Sequence, residues 1–577
     1  MQVRQRHLQV LSEVTYDVLI IGGGINGAVA AAALSGNGLH TALIDQRDFA
    51  GFTSQQSSNL AWGGIKYLET FEFALVRQLC KSRNELLRHY PSSVREIRFL
   101  TTIQKGFRHH PVILWCGAWL YWFIGNGFTR TPRLWSARRI KRDEPVIQAG
   151  GSLGGMEYSD AYLYDNDARF VFNFVRSALD DGCIAVNYVE SLGSHRSDDL
   201  WQTRARDVMT GRELTIRSRV LINATGPFVE AMNGLSGEST EHRHVFSKGI
   251  HLIVDRVTPN PRVLAFFADD GRLFFAIPMG SKTCIGTTDT RVDSPFAEVT
   301  EADRDFVLSQ MNRRLQLERP LGADDIIAER CGVRPLAVQG QASDPQDFLN
   351  LSRKHAIDVN SDRAHISIFG GKLTDCLNVG EEICTIIEAL GLPLPRPRRK
   401  WYGEPEASVR AAFMQRARAI KLDDLTPANS EEALSTRLWR RYGEQAFGLL
   451  KAIEKDAAQA EPILAGTAFI RCEIELMAER EMIVTLEDFL RRRSDLALVT
   501  RHGDLRGAAG MMDVCTLLFG AEQAGQKFDD YFYFDTVAGA GAAVPRCVSK
   551  ALVRRRFESE GDGPQPLPRP SDPHQSV

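Results

Sequence analysis

The chain has 577 residues, 44% of them hydrophobic and 25% charged, and a formal net charge of −2. That length suggests two or three domains around a large core, and the charge balance excludes a general pull toward nucleic acid. The ten cysteines form no CxxC pair and no metal-ligand spacing, so neither a disulfide framework nor a metal centre is expected.

The opening "MQVRQRHLQVLSEV" lacks a long apolar run and a cleavage site, so residues 1–14 read as an N-terminal extension and a cytoplasmic location is expected. "YDVLIIGGGINGAVAAAALSGNGLHTALIDQ" follows. Asp17 to Ile21 is a short apolar strand, Asn26 to Ser35 an alanine-rich helix ended by Gly36 and Gly38, and "HTALID" a second strand. Gly22, Gly24 and Gly27 fit GxGxxG: one for the tight turn, one for approach to a pyrophosphate, one for helix–strand packing. The helix N-terminus offers free N–H groups to phosphate, and Asp45 can accept from ribose hydroxyls. Strand, glycines, helix, strand and acid in this order predict a dinucleotide site.

"SSNLAWGGIKYLET", residues 57–70, sets small residues and paired glycines around Trp62, Lys66 and Tyr67. The apolar run Val112 to Ile124 is too short to span a bilayer, which takes ~20 residues. Basic flanks from Lys105 to Arg142 and its tryptophans suit a headgroup boundary, so residues 105–142 are a candidate membrane surface. In "EYSDAYLYDNDARF", Asp165 or Asp167 is expected to cap a helix beginning near Ala168; no glycine or closing glutamate makes it a cation loop. "CIAVNYVESL" reads as one strand. "LINATGP" brings an apolar strand to a second close-approach turn at Ala224, Thr225 and Gly226, which favours FAD over NAD.

Composition shifts after the Pro- and Arg-rich "LGLPLPRPRRK". Residues 404–525 show helical spacing, with Thr485, Glu487 and Asp488 suiting a helix start. The charge runs there read as solvated helix faces, with no catalytic constellation. Lys550 to Arg556 reads as a helix end, and the Pro- and Gly-rich residues 557–577 as a disordered tail.

"GGGINGA", "TSQQSSNLAWGGIKYLE", "EYSDAYLYDNDARF", "NATGPFV", "KGIHLIV", "IGTTDT", "GVRPL" and "FGGKLTD", in that order, resemble the FAD-dependent glycerol-3-phosphate dehydrogenase/oxidase family within the D-amino-acid-oxidase-like flavoproteins. The resemblance covers about residues 15–530. It implies an α/β fold: a Rossmann-like FAD-binding domain interleaved with a β-rich substrate domain over 15–395, and an all-helical C-terminal domain over 396–550. It implies oxidation of sn-glycerol 3-phosphate to dihydroxyacetone phosphate by hydride transfer to flavin, with a quinone or other electron acceptor, attachment to the inner face of the cytoplasmic membrane, and a homodimer as a further expectation.

By the same resemblance, FAD contacts fall on Gly22, Gly24, Ile25, Asn26, Gly27, Asp45, Thr53, Ser54, Ser57, Ser58, Leu60, Gly63, Gly64, Val189, Ala224, Thr225, Gly226, Gly371, Lys372, Leu373 and Thr374. Arg334, Arg353 and Lys372 are placed at the substrate, which fits a phosphate dianion's need for guanidinium forks and a point charge. His251, at the start of its strand, is the candidate base, with Tyr67 beside the chemistry. Ser57, Ser58, Gly63 and Gly64 are expected to be small so that backbone can approach the isoalloxazine.

The family's usual form of the 57–70 stretch resembles "SSKLIHGGLRYLE". Here Asn59, Trp62 and Lys66 stand at its lysine, histidine and arginine. An indole only donates, and a lysine lacks the planar fork. Three outcomes stay open: the family reaction with another base, a pocket reshaped for a different phosphorylated polyol or hydroxy acid, and a non-catalytic flavin-binding or membrane-associated module.

Overall fold

The structure is a computed structural model, which describes residues 3–268, 272–340, 354–397, 399–428 and 430–533. Arg353, Lys550 to Arg556 and the tail lie outside the described residues.

The first strand, Thr15–Ile21, is apolar on both faces because it is central: it pairs in parallel with Thr41–Asp45 on one side and Glu213–Asn223 on the other. Ile184–Asn187 extends the sheet beyond Thr41–Asp45, and His365–Phe369 and then Ala356–Asn360 extend it beyond Glu213–Asn223. The helices Ile25–Gly36, Asp167–Asp180 and Cys376–Ala389 pack together over it, around one core that runs from Val18 to Trp401 and takes in Met482. Every residue of Ile25–Gly36 is buried, which explains its run of alanines.

A second sheet of ten strands is mostly antiparallel. Its long members are Val94–Gln104, Ser152–Leu163, His242–Asp255 and Ala328–Gln339. The chain passes between the two sheets repeatedly, so the Rossmann-like and β-rich layers are interleaved as expected.

From Ala407 the chain is helical to Phe532, around a separate core centred on Trp439, Ile474 and Phe489. Within the helical spacing of 404–525, the stretch 431–457 forms two helices, Leu434–Tyr442 and Ala446–Lys455, broken at Gly443 where φ is +54°. The connecting segment is not loose: Leu392, Leu394 and Trp401 are buried in the core of the dinucleotide-binding layer.

Several local readings need correction. The helix after Leu163 starts at Asp167 and its cap is Asn166, whose side chain accepts from Arg169 N–H at 2.7 Å. Asp167 is engaged elsewhere. "CIAVNYVESL" is two strands, Ile184–Asn187 and Val189–Ser197, separated by Tyr188 at φ +55°. Residues 1–14 include a docked helix, Val3–Val10, whose Arg4 pairs with Asp207 at 2.6 Å.

The runs taken as solvated helix faces are the largest departure. Arg437, Arg440, Arg441, Arg491, Arg492 and Arg493 are all buried. The expected helix start holds: Leu486 and Glu487 are helical, Thr485 N–H and Oγ1 both donate to Asp488 at 2.9 Å, and a π-helical turn, Asp488–Arg493, carries the helix on. That turn docks on the dinucleotide-binding layer: Arg493 grips both oxygens of Asp48 at 2.8 and 2.9 Å.

Candidate flavin and substrate site

The glycine motif is required by local geometry. Gly22 has φ +105°, and a Cβ there would lie 2.5 Å from the Ala224 carbonyl oxygen. The two strand ends therefore meet as closely as backbone allows, and Ala224 N–H donates to the Ile21 carbonyl at 2.9 Å. Thr225 is folded back on Asn223 at 2.7 Å, and Gly226, at φ +60°, faces open space. Next to this cradle, Ile25–Gly36 begins without a side-chain cap from its own Gly24. Its first amide, Ile25 N–H, donates to Ser54 Oγ at 3.0 Å.

Asp45 ends its strand and accepts from Gly23 N–H at 2.7 Å and Arg47 N–H at 2.8 Å. Burial pushes its carboxyl up to about 6 against those two donors, so it is still an acceptor at neutral pH. Asn26 donates to the Gly370 carbonyl at 3.0 Å, which brings Gly371, Lys372, Leu373 and the buried Thr374 to the helix N-terminus. The Asn26 Oδ1 is buried without a hydrogen-bond partner among the described residues. A glycine turn onto a helix N-terminus, an amide oxygen with no partner among the described residues and a strand-end carboxylate together fit a pyrophosphate and ribose. Val189 opens its strand beside the same edge and pairs with Asp207.

The loop 53–60 crosses the cradle. Thr53 donates to the Val333 carbonyl at 2.9 Å, and Ser57 N–H donates to Asp167 at 2.7 Å. Ser58 and Leu60 are half-buried. Asn59 is buried at φ +57°, a conformation asparagine tolerates, and accepts from Arg330 at 3.1 Å. At Gly63 the protein itself already requires a small residue: a Cβ would run into the Tyr121 hydroxyl and lie 2.9 Å from Cys80 Sγ. Its N–H donates to the buried Asp160, which also holds Tyr121 and Arg83. Gly64, at φ +79°, clears the Tyr67 ring.

Of the substrate candidates, Lys372 Nζ donates to the Tyr67 hydroxyl at 2.9 Å. Trp62 is half-buried beside Tyr67, with ring centroids 6.1 Å apart, and its indole N–H reaches the Tyr158 hydroxyl at 3.4 Å. Lys66, by contrast, is exposed on the turn Ile65–Leu68, and none of these contacts involves it. Arg334 is half-exposed and lies over Gly249, where any Cβ would collide with its guanidinium; it donates to Thr287 Oγ1 at 3.2 Å and stands 3.9 Å from Asp289.

His251 is not at a strand start but well along His242–Asp255, opposite Arg330. It is 3% exposed, and neither ring nitrogen has a hydrogen-bond partner among the described residues. Burial, then Arg334 and Arg330, push it down to about 3, so it is a neutral imidazole and, as it stands, a weak base. Arg330, Asp167 and Tyr158 are site residues that sequence reasoning missed. Tyr158 and Asp167 lie within "EYSDAYLYDNDARF" and Arg330 just before "GVRPL", but each acts on a residue distant in the chain, which no spacing reveals.

A sheet-end glycine cradle with a strand-end acid and a second β-rich layer over it defines a flavin-dependent oxidoreductase. The chain belongs to the FAD dependent oxidoreductase family, whose model matches residues 17–351. Residues 402–524 match the C-terminal domain of alpha-glycerophosphate oxidase. Among similar proteins are the aerobic glycerol-3-phosphate dehydrogenase of Bacillus subtilis, 30% identical over 85% of this chain and 89% of its own, and the glycerol-3-phosphate dehydrogenase of Pseudomonas aeruginosa, 31% identical over 85% and 93%. In fold it resembles the glycerol-3-phosphate dehydrogenase from Bacillus halodurans complexed with FAD, with a TM-score of 0.68 over 92% of this chain and 96% of that one at 24% identity.

Proposed function

We propose that this chain oxidises sn-glycerol 3-phosphate to dihydroxyacetone phosphate and passes the electrons to a quinone or other acceptor. The observation that carries this reading is the Arg334 guanidinium held half-exposed over Gly249, in a chain whose relatives bear the glycerol-3-phosphate dehydrogenase name. Bound FAD supplies the hydride acceptor. The chain's own residues supply position and charge.

Arg334 takes the phosphate as a fork, and Lys372 with Tyr67 closes the other side of the substrate space. His251 accepts the hydroxyl proton. Its neutral form is the one a base needs, and Arg334 is one cause of its low basicity. A phosphate dianion on Arg334 offsets that charge and raises the imidazole's affinity for a proton when substrate is present. Tyr67 and Lys372 hold the substrate hydroxyl between them and His251.

Trp62 supports a second reading. It fills space beside Tyr67, so a differently shaped phosphorylated polyol is the alternative substrate. Anaerobic mixing of the FAD-loaded protein with glycerol 3-phosphate decides between them. Rapid bleaching of the visible flavin band supports the first reading, and Arg334→Ala should then slow it about 100-fold, from roughly 3 kcal/mol of charge-assisted bonding. Bleaching only by another polyol phosphate supports the second, and bleaching by none sinks both.

No helix among the described residues is long and apolar enough to cross a membrane. The helix Pro111–Ile124 nonetheless leaves Ile113 59% and Phe123 63% exposed, with Phe71 at 76%. Arg130, Arg133, Arg138, Lys141 and Arg142 are exposed in the segment that follows. Apolar side chains bordered by cations suit peripheral attachment to an anionic leaflet, where a quinone is within reach.

A further inference from the structure

The loop from Asp48 to Asn59 is held by buried charged groups from three elements. Arg330, on the strand Ala328–Gln339, donates to the Ser57 carbonyl and to Asn59 Oδ1. Asp167, at the start of its helix, accepts from Ser57 N–H. From the helical C-terminal domain, Arg491 donates to the Gln55 carbonyl and Arg492 to Gln55 Oε1 at 3.3 Å, while Arg492 and Arg493 both hold Asp48.

Arg491 is an expensive residue to keep there. It and Arg330 share Asp167, at 4.0 and 3.7 Å, so two buried guanidiniums face one carboxylate. Arg491 Nη1 and Arg330 Nε have no hydrogen-bond partner among the described residues. Burial and the neighbouring Arg330 push Arg491 down to about 9. An apolar side chain of the same length would fill the space without these costs. What only a donor there can do is hold the Gln55 carbonyl. Gln55 follows Thr53 and Ser54, which are tied to Val333 and to the first amide of the Ile25–Gly36 helix, and precedes Ser57.

We propose that Arg491 is a positioning residue for the flavin loop, so that retention of FAD depends on the docked C-terminal domain. This rests on the reading of Thr53, Ser54, Ser57 and Ser58 as flavin contacts. Arg491 acts through the Gln55 carbonyl: released, the 53–58 segment shifts against the helix N-terminus, and the cofactor loses a preformed surface rather than a direct contact.

The test is equilibrium binding of FAD to the full-length apoprotein, followed by flavin fluorescence, together with apoprotein melting. Arg491→Met removes the buried charge at similar side-chain length and takes the donor from the Gln55 carbonyl, while Asp167 keeps Arg330 and the Ser57 N–H. The expected result is an FAD Kd raised at least tenfold, an apoprotein melting temperature no lower than wild type, an unchanged KM for glycerol 3-phosphate at saturating FAD, and recovery of most of the affinity in Arg491→Lys. An FAD Kd within twofold of wild type overturns the proposal. So does a loss of affinity that the lysine does not recover and that comes with a lower melting temperature, since that marks a folding residue only. Arg491→Gln, read in the same way, decides if the methionine variant does not accumulate folded. Ser58→Leu separates the two layers of the argument. If it leaves FAD affinity unchanged, the loop does not face the flavin and the reading beneath the proposal falls with it. If it weakens FAD while Arg491→Met does not, the anchor alone is wrong.

Discussion

Arg491, Arg492 and Arg493 stand in a row as dense in positive charge as Arg138, Arg139, Lys141 and Arg142. The first three are buried between domains; of the other four, three are exposed and Arg139 lies half-buried over the Trp135 ring at 3.9 Å. The difference lies in the partners. Among the described residues Arg142 pairs with its neighbour Asp143, at the surface. Arg493 meets Asp48, which is 445 residues away and itself fully buried, and the carbonyl of Glu481. An arginine run is a solvated face until the fold supplies carboxylates for it, and those carboxylates can come from anywhere in the chain. Buried pairs gain little over an apolar core but are costly to break, whereas exposed pairs contribute close to nothing.

The sharpest way to break this comparison is to cut one pair of each kind. Arg493→Ala leaves Asp48 buried with half its donors, and should cost about 3–5 kcal/mol of stability. Arg142→Ala should cost no more than about 0.5 kcal/mol. Denaturant unfolding of the two variants checks this. Similar losses in both would show that burial is not what distinguishes the runs.

The same contrast explains which features were readable beforehand. The dinucleotide cradle was legible because its parts are local: Gly22, Gly24, Gly27 and Asp45 fall within one strand–helix–strand unit. The layer order and the helical C-terminal part followed from periodicity and from family resemblance. What failed depended on distant residues. Asn166 takes the cap while Asp167 accepts from Ser57 N–H, Gly63 must also make room for Tyr121, and it is Lys372, not Lys66, that donates to Tyr67. His251 could be named from its motif, but its protonation is set by burial and two arginines on a paired strand. No spacing rule encodes those encounters.

Buried histidines carry the comparison into pH. His251, at about 3, and His244 and His365, at about 4, are held neutral below their ordinary value of 6.5, chiefly by burial. Each contributes stability above pH 6.5 that is lost as pH falls below it, because the unfolded chain takes up the proton first. His355 is the opposite case. Burial works against its charge, but hydrogen bonds to Asp375 at 2.9 Å and Glu382 at 3.0 Å outweigh it and hold the group up at about 9. Its contribution is complete below pH 6.5 and is lost as pH rises toward 9. Melting temperature against pH should therefore fall on both sides of neutrality. His355→Gln should flatten the alkaline side, removing a pH dependence of about 1–3 kcal/mol, and leave the acid side in place. An alkaline limb unchanged in the variant would rule out His355 as its source.

The smallest effect on stability, and the most specific in function, is expected from the exposed run itself. Arg133, Arg138, Lys141 and Arg142 have no buried carboxylate to satisfy, so reversing two of them in Arg138→Glu/Lys141→Glu should leave the melting temperature within about 1 °C, given how little surface substitutions contribute. If that run faces an anionic leaflet, each reversal removes about 1 kcal/mol of attraction and adds repulsion. Co-sedimentation with vesicles containing phosphatidylserine should then fall by at least tenfold at low salt, and the difference should shrink as salt rises toward 0.5 M because the charges are screened. Removing the apolar component with Phe123→Ser should weaken binding at every salt concentration instead. The two responses together identify a surface that uses both chemistries. Vesicle binding indifferent to both changes would return residues 105–142 to the status of the exposed faces that many helices present to water, and would leave Arg491 to Arg493 as the run whose charge has work to do in this molecule.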